Sequence, residues 1–272
     1  MKNHTSFKIG GNAETVVFPK TVGEMVEVIK NTVSPLVLGK GSNVLVSDEG
    51  IKGVVVITEK MAEVSADGNI IKADCGAMLS KIANVALESS LEGFEFASGI
   101  PGTLGGAILM NAGAYGGEMK DVIKSVTFCD EKGELFTAEG KDCDFSYRHS
   151  YFSDKKLYIL SAEIELKKGN KEKVRSLMNE LNARRKEKQP LNYPSAGSTF
   201  KRPDGYFAGK LISDSGLKGF SIGGAQVSEK HAGFVINTGN ATCRDVLDLI
   251  EHCKKTVFEK YSVKLEPEVR II

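Results

Sequence analysis

The sequence predicts an α+β protein of two domains, and three observations lead there. Short apolar runs of strand character fill the first half, and only two helical patterns interrupt them. The composition changes after Gly169, where a long charged amphipathic segment begins. The chain of 272 residues is about two domains long, enough to bury a substantial core.

In chain order, ETVVFP, PLVLG, NVLVS, GVVVIT and NIIKADC read as strands. The first helix follows Thr21, with Glu24 three residues on in capping-box spacing. Val22, Met25, Val26 and Ile29 then share one face. A second helix covers about Met78 to Ser90, with Leu79, Ile82, Ala83 and Ala86 as its stripe. Strands return at SVTFCD, GELFTA and LYILSAEIEL. After Gly169, NKEKVRSLMNELNARRKEKQ is a helix with Val174, Leu177, Met178 and Leu181 inward, and a domain boundary is placed near it. A loop, LNYPSAGSTFKRPDG, leads to a helix over about Tyr206 to Ser215, stopped by Gly216. A strand GFVIN follows, then a helix from Thr242, where Asp245 repeats the capping-box spacing. The chain ends in VKLEPEVRII, whose alternation places Val263, Leu265, Val269 and Ile271 on one face. Lys264, Glu266, Glu268 and Arg270 take the other, and Pro267 marks an edge or a bend.

Composition excludes several functions. Lys plus Arg is 36 against 35 for Asp plus Glu, so no basic excess points to nucleic acid. Trp is absent, which removes the best stacking platform for single strands. MKNHTSFKIGG has no apolar core of a signal peptide, and no apolar run reaches the roughly 20 residues of a membrane span. The cysteines Cys75, Cys129, Cys143, Cys243 and Cys253 are odd in number and form no CxxC. His4, His149, His231 and His252 show no ligand spacing. The expectation is a reduced, cytoplasmic protein with no metal, and with neither nucleic acid nor a membrane as partner.

Two glycine clusters carry the chemistry. GKGSN, Gly39 to Asn43, resembles half of a dinucleotide fingerprint, but Val44 opens a strand where that fingerprint needs a helix. It reads as a β–turn–β, either a plain tight turn or one whose backbone N–H groups face an anion. The second cluster, SGIPGTLGGAILMNAGAYGG, has seven glycines in twenty residues and no Asp, Glu, Lys or Arg. Glycine admits close approach of backbone to a ligand, and N–H groups at a helix start bind phosphate without side-chain charge. Gly105 and Gly106 open the helical-looking AILMNAG. The apolar Ile100, Leu104, Ile108, Leu109 and Met110 between the glycines argue against a linker. Together the clusters point to a large phosphate-bearing cofactor.

GKGSNVLVSDEG, SGIPGTLGGAILMNAGAYGGE, DFSYRHSYF, PSAGSTFKRPDGYFAGKLI, GGAQVSEKHAGFVIN and LEPEVRII occur in this order. They closely resemble the UDP-N-acetylenolpyruvoylglucosamine reductase (MurB) family, over about Asn3 to Ile272. The resemblance implies an α+β fold: a vanillyl-alcohol-oxidase-type FAD-binding domain over 1–168, with subdomains of about 1–60 and 61–168. A substrate domain over 169–260 follows, and a C-terminal strand, 261–272, reaches the active site. It implies noncovalent FAD, NADPH as reductant, a UDP-sugar enolpyruvyl ether as substrate, and a monomer active in peptidoglycan synthesis. The FAD contacts it implies are Gly39, Lys40, Gly41, Ser42, Asn43, Gly99, Ile100, Pro101, Gly102, Thr103, Gly105, Gly106, Asn111, Gly113 and Ala114.

The implied chemistry needs a hydride donor, a stabiliser of enolate charge and a proton donor. Arg148, in SYRHS, suits the second task, because a guanidinium grips a carboxylate through two parallel bonds. Phe145, Tyr147, Tyr151 and Phe152 form an aromatic neighbourhood about it. Ser198 takes the third task by resemblance. From the residues alone it reads as a turn serine after Pro194, and Lys201 is the nearby cation that would favour its alkoxide. Glu268 is carried over as the group that assists the enolate or the proton transfer. Tyr147, Lys188, Arg202, Gln226 and Arg270 are carried over to the substrate. Arg202 stands where many members have Asn. The short connection from Tyr151 to Asn170 resembles the type II subgroup, which lacks an insertion with a closing tyrosine. Two other readings fit the same glycines: a flavin oxidase of the same superfamily, and a non-catalytic flavin- or nucleotide-sugar-binding module.

Overall fold

The computed structural model describes all 272 residues. The chain forms two compact units, each built from separate stretches. One comprises Thr15–Lys40 and Val54–Arg185. The other comprises Met1–Glu14, Gly41–Gly53 and Lys186–Ile272. This differs from the division expected at Gly169. The charged helix that begins there belongs with the first unit almost to its end, because Val174 and Met178 bury into that core. The N-terminal residues and the final strand belong to the second unit.

The first unit is centred on a five-stranded sheet. Its order is Leu135–Glu139, Ile123–Cys129, Tyr158–Glu165, Ile70–Asp74, Val64–Asp67, antiparallel throughout. One face alternates inward as Val126, Ile71, Ala73, Ala162 and Ile164, all buried. A smaller sheet holds Ala13–Val17, Ile51–Ile57 and Leu36–Leu38. Helix α1 is Val22–Lys30. Its cap is the expected Thr21, which accepts from the Glu24 amide, but the Glu24 carboxylate turns back to the Lys20 amide rather than to that of Thr21. Helix α2 is Leu79–Glu88 and buries the expected stripe. Helix α3 is the six-residue Leu104–Leu109, and α4 is Lys171–Lys188. Leu177, expected inward on α4, is 41% exposed because the buried line runs through Val174, Met178 and Leu181.

The second unit packs α5, Ala208–Asp214, and α6, Cys243–Tyr261, about a small antiparallel sheet, Ser221–Ile222, Ala225–Val227 and Val235–Asn237. The last strand is shorter than GFVIN because Phe234 donates instead to the carbonyl of His231 in a turn. Thr242 and Asp245 complete a reciprocal capping box at α6. Asp48 adds two bonds to the same helix end, to the amides of Cys243 and Arg244. At the C-terminus only Arg270–Ile271 is strand, parallel to Val44–Leu45. Leu265 and Val269 are buried as the alternation predicts, but Ile271 is half exposed. No helix is long and apolar enough to cross a membrane.

All five cysteines are buried and unpaired. Burial pushes the thiols of Cys75 and Cys253 up to about 12, so no reactive thiolate forms near neutrality. A disulfide-exchange reagent at pH 8 should therefore label the native protein negligibly and five thiols after unfolding in guanidinium. Rapid native labelling would contradict this packing.

Candidate active site

In the first unit the two glycine segments meet directly. Gly39 lies so close to Thr103 that a Cβ added to it would overlap the threonine hydroxyl. Glycine is needed there so that the turn after Leu36–Leu38 can reach the second loop. The backbone amides divide into two groups. Those of Leu104 and Gly105 donate to the carbonyls of Ala77 and Cys75, and that of Gly102 to Ile100. They lock the loop to the sheet and are not available to a ligand, which corrects the expectation for Gly102 and Gly105 but not for Gly106, whose amide donates to no carbonyl. A Cβ at Gly105 would press on Cys75 at 3.0 Å, so that glycine serves packing. Within this unit no hydrogen bond is donated by the amides of Lys40, Gly99 and Gly106.

Sequence reasoning missed a cation at this loop. Arg185, near the end of α4, is partly buried, and burial pulls its pKa below the ordinary arginine value. Its Cδ would be 3.2 Å from a Cβ at Gly99. No carboxylate pairs with it. A guanidinium half out of water with no acceptor is costly unless a ligand supplies one. Beside it, the Asn182 amide reaches the Ser98 hydroxyl at 3.4 Å, and the Arg184 guanidinium lies 5.4 Å from the Tyr115 ring centroid. Nothing in the sequence pattern distinguishes Arg185 from its exposed neighbours.

Asn111, expected against the cofactor, is 0% exposed and engages its whole side-chain amide within the protein. Its Nδ2 donates to the Ser146 carbonyl at 3.0 Å and to Glu118 at 3.0 Å, and its Oδ1 accepts from the Lys120 amide at 2.9 Å. Asn111 therefore holds the turn that carries Arg148. That turn closes through mutual bonds between Ser146 and His149, and Arg148 sits in it at φ 57°. A non-glycine residue there is uncommon. The Arg148 guanidinium lies 5.0 Å from the Tyr147 ring centroid. Tyr151 and Phe152, expected beside it, instead join Phe128 in an edge-to-face cluster. The Lys120 ammonium, and more weakly the Asn111 amide and Arg148, hold the Glu118 carboxyl below the usual carboxylate range. Gly113 and Ala114 pair with Glu118 and Gly117 in a short hairpin beside this cluster.

In the second unit, Ser198 and Glu268 are brought onto paired segments. Phe200 bridges Pro267, the Glu268 amide donates to Thr199 at 2.8 Å, and the Lys201 amide donates to Glu266 at 2.8 Å. Gly197, at φ 76°, breaks the strand alternation just before Ser198. Thr199 and Phe200 are consequently both buried, while Ser198 is turned outward and exposed. Asn43 steadies the other segment by donating to the Glu268 carbonyl at 3.1 Å. Lys201 does not serve Ser198; its ammonium goes to Glu266 at 3.4 Å. Arg202 is exposed, donates to the Tyr206 carbonyl at 3.3 Å and lies 4.0 Å from the Phe207 ring centroid. Gln226 donates to the Gly219 carbonyl and the Ser221 hydroxyl, both at 3.1 Å. Lys188 and Arg270 are exposed. A cleft of about 500 Å³ on the polar face of the five-stranded sheet contains none of these residues. Its Glu163 already pairs with Lys72 and Lys124.

Residues 13–139 match the FAD binding domain family, and residues 189–272 match the UDP-N-acetylenolpyruvoylglucosamine reductase C-terminal domain family. The amides without acceptors, the close approach at Gly39 and the unpaired Arg185 fit a dinucleotide diphosphate. The chain is thus an FAD-containing oxidoreductase with an α+β FAD-binding domain. It is 56% identical to the UDP-N-acetylenolpyruvoylglucosamine reductase of Caldanaerobacter subterraneus subsp. tengcongensis, across 100% of this chain and 91% of that protein. It is 52% identical to the Clostridium novyi protein of the same name, across 100% and 90%. The crystal structure of UDP-N-acetylenolpyruvylglucosamine reductase (MurB) from Thermus caldophilus superposes with TM-score 0.86 at 33% identity, covering 99% of this chain and 96% of that one. The chain belongs to the UDP-N-acetylenolpyruvoylglucosamine reductase family.

Replacing Asn111 by Ala removes the partner of three groups about the Arg148 turn. At about 1 kcal/mol for each bond, stability should fall by about 3 kcal/mol. For a chain of this size the melting temperature should drop roughly 6–12 °C, as calorimetry would show. A drop below about 1 °C would mean that these bonds do not hold the turn.

Proposed function

We propose that the protein reduces UDP-N-acetylglucosamine enolpyruvate to UDP-N-acetylmuramate, with NADPH as reductant, in cytoplasmic peptidoglycan synthesis. The observation that carries this reading is the pairing of the segment after Ser198 with Glu266–Glu268, through Thr199, Phe200 and Lys201, in the C-terminal domain. When bound noncovalently, FAD would supply the hydride chemistry of this reduction, with NADPH as the source of electrons.

Arg148 stabilises the negative charge that then spreads into the substrate carboxylate. The left-handed turn fixes its backbone, so little reorganisation is needed when the charge appears. Ser198 delivers the proton to the carbon beside that carboxylate, and its exposure leaves the hydroxyl open to substrate. Glu268 assists that transfer. The FAD diphosphate is assigned to the amides of Lys40 and Gly99 and to Arg185. Arg202, stacked on Phe207, takes the substrate diphosphate with Lys188, Arg270, Tyr147 and Gln226.

Two measurements test these assignments. Ser198→Ala should leave bleaching of the flavin by NADPH intact and slow reoxidation by the enolpyruvyl sugar nucleotide by about 10²–10⁴-fold. Stopped-flow absorbance separates the halves; equal slowing of both would reduce Ser198 to a turn residue. Arg185→Met should weaken FAD binding to the deflavinated protein roughly ten- to a hundredfold, the worth of a charge-assisted bond. Flavin fluorescence titration reads this, and unchanged affinity would remove Arg185 from the cofactor site.

A further inference from the structure

His231 is the residue on which the placement of Ser198 and Glu268 converges. Its Nδ1 accepts from the Gly233 amide at 3.1 Å. The Gly233 carbonyl accepts from the Thr199 amide at 2.8 Å. Thr199 Oγ1 accepts from the Val235 amide at 2.9 Å, and the Thr199 carbonyl accepts from the Glu268 amide at 2.8 Å. The ring therefore fixes Gly233, Gly233 fixes Thr199, and Thr199 is neighbour to Ser198 and cross-strand partner to Glu268.

The ring's surroundings leave it little freedom. A Cβ at Gly233 would be 3.0 Å from its Cε1, and one at Gly209 of α5 would be 3.3 Å from the same atom. The Phe234 ring meets it edge-on at 5.0 Å. The Ser228 hydroxyl accepts from the His231 amide at 3.3 Å. The group Gly209 brings from α5 is uncharged, as are those of Gly233, Phe234 and Ser228 from its own hairpin. The charge that acts on the ring is the Lys218 ammonium. Burial above all holds the imidazole pKa below its ordinary value; a hydrogen bond to the residue's own backbone opposes this, and Lys218 adds to it.

We infer that His231 is a positioning residue for the proton-transfer step, acting through Nδ1, which must stay unprotonated to accept the Gly233 amide. The inference rests on the reading of Ser198 as proton donor. The contact spans two residues, the reach of an Asx turn, in which an Asn side-chain oxygen accepts the amide two positions on. Asparagine can therefore replace the acceptor without being able to titrate. The neutral ring is the folded form, so the interaction is complete above the unfolded imidazole value of about 6.5. It is lost as pH falls from there through the lower folded value.

The test compares wild type, His231→Asn and His231→Leu by stopped-flow in both half-reactions between pH 5 and 8, all as FAD-loaded protein. Flavin reduction by NADPH should be alike in the three. Reoxidation by the enolpyruvyl sugar nucleotide should be at least tenfold slower in the Leu variant and within about threefold of wild type in the Asn variant at pH 8. In wild type it should fall at acid pH, and that fall should be absent from the Asn variant. An acid limb that persists in the Asn variant, or a Leu variant with wild-type reoxidation, overturns the inference. Should the Leu variant fail to fold, the pH profiles of the other two still decide it, and the ¹⁵N shifts of the wild-type ring report directly whether Nδ1 is the unprotonated nitrogen. Ser198→Ala with normal reoxidation would instead sink the underlying reading, whatever His231 does.

Discussion

The bonding of Thr199 is the constraint on which the C-terminal unit depends. Its amide, hydroxyl and carbonyl are engaged by three different residues, Gly233, Val235 and Glu268. The chain on either side cannot slip without breaking at least two of these bonds at once. Each is worth only about 1 kcal/mol net, but leaving a buried partner unsatisfied costs more, and Thr199 is 4% exposed. That asymmetry is what makes the register rigid. Ser198 inherits a fixed backbone from this arrangement without having to be buried itself.

The FAD-binding unit solves the opposite problem. A loop that must bind an anion through its backbone needs donors left over, yet a loop with too many unsatisfied donors has no fixed shape. The amides of Gly102, Leu104 and Gly105 anchor the loop internally, and the contact between Gly39 and Thr103 joins it to the first turn. This leaves few donors free, and those lie beside residues whose conformation is already determined. A loop held in this way is already ordered, so little ordering entropy would oppose a ligand that binds it.

What could be read in the sequence was what local rules govern. The Thr242 and Asp245 box, the stripe of α2 and the β–turn–β at GKGSN each depend on residues within a few positions of one another. The pairing of Ser198's segment with 266–268 was invisible, since nearly seventy residues separate them. So was the joining of Met1–Glu14 and Gly41–Gly53 to the C-terminal part. Two further local signals lie in the sequence. Asn is the non-glycine residue that best tolerates the left-handed region, which marks Asn111 as a fold residue. His231 with Gly233 two positions on has the spacing of a side-chain–backbone turn. Leu177 was misplaced because helical periodicity bounds a stripe only to within a residue at its edges, and packing decides which edge is covered.

The left-handed Arg148 shows how strain and hydrogen bonding are balanced in a tight turn. Holding a non-glycine residue at φ 57° costs of order 1–2 kcal/mol. A turn closed only by the Ser146 and His149 bonds would relax if that cost went unopposed. The Asn111 amide adds a buried bond to Ser146 and ties the same turn to Glu118 and to the Lys120 amide. These bonds, at about 1 kcal/mol apiece, exceed the strain, so the conformation persists without a ligand. Asn111 itself sits at φ 43°, so the support is strained as well as the residue supported. Strain on both sides of one hydrogen bond is difficult to explain as packing alone, since a glycine at position 148 would remove half of it without loss of the turn. The guanidinium is what a glycine could not provide, and the turn is built to keep it in one place.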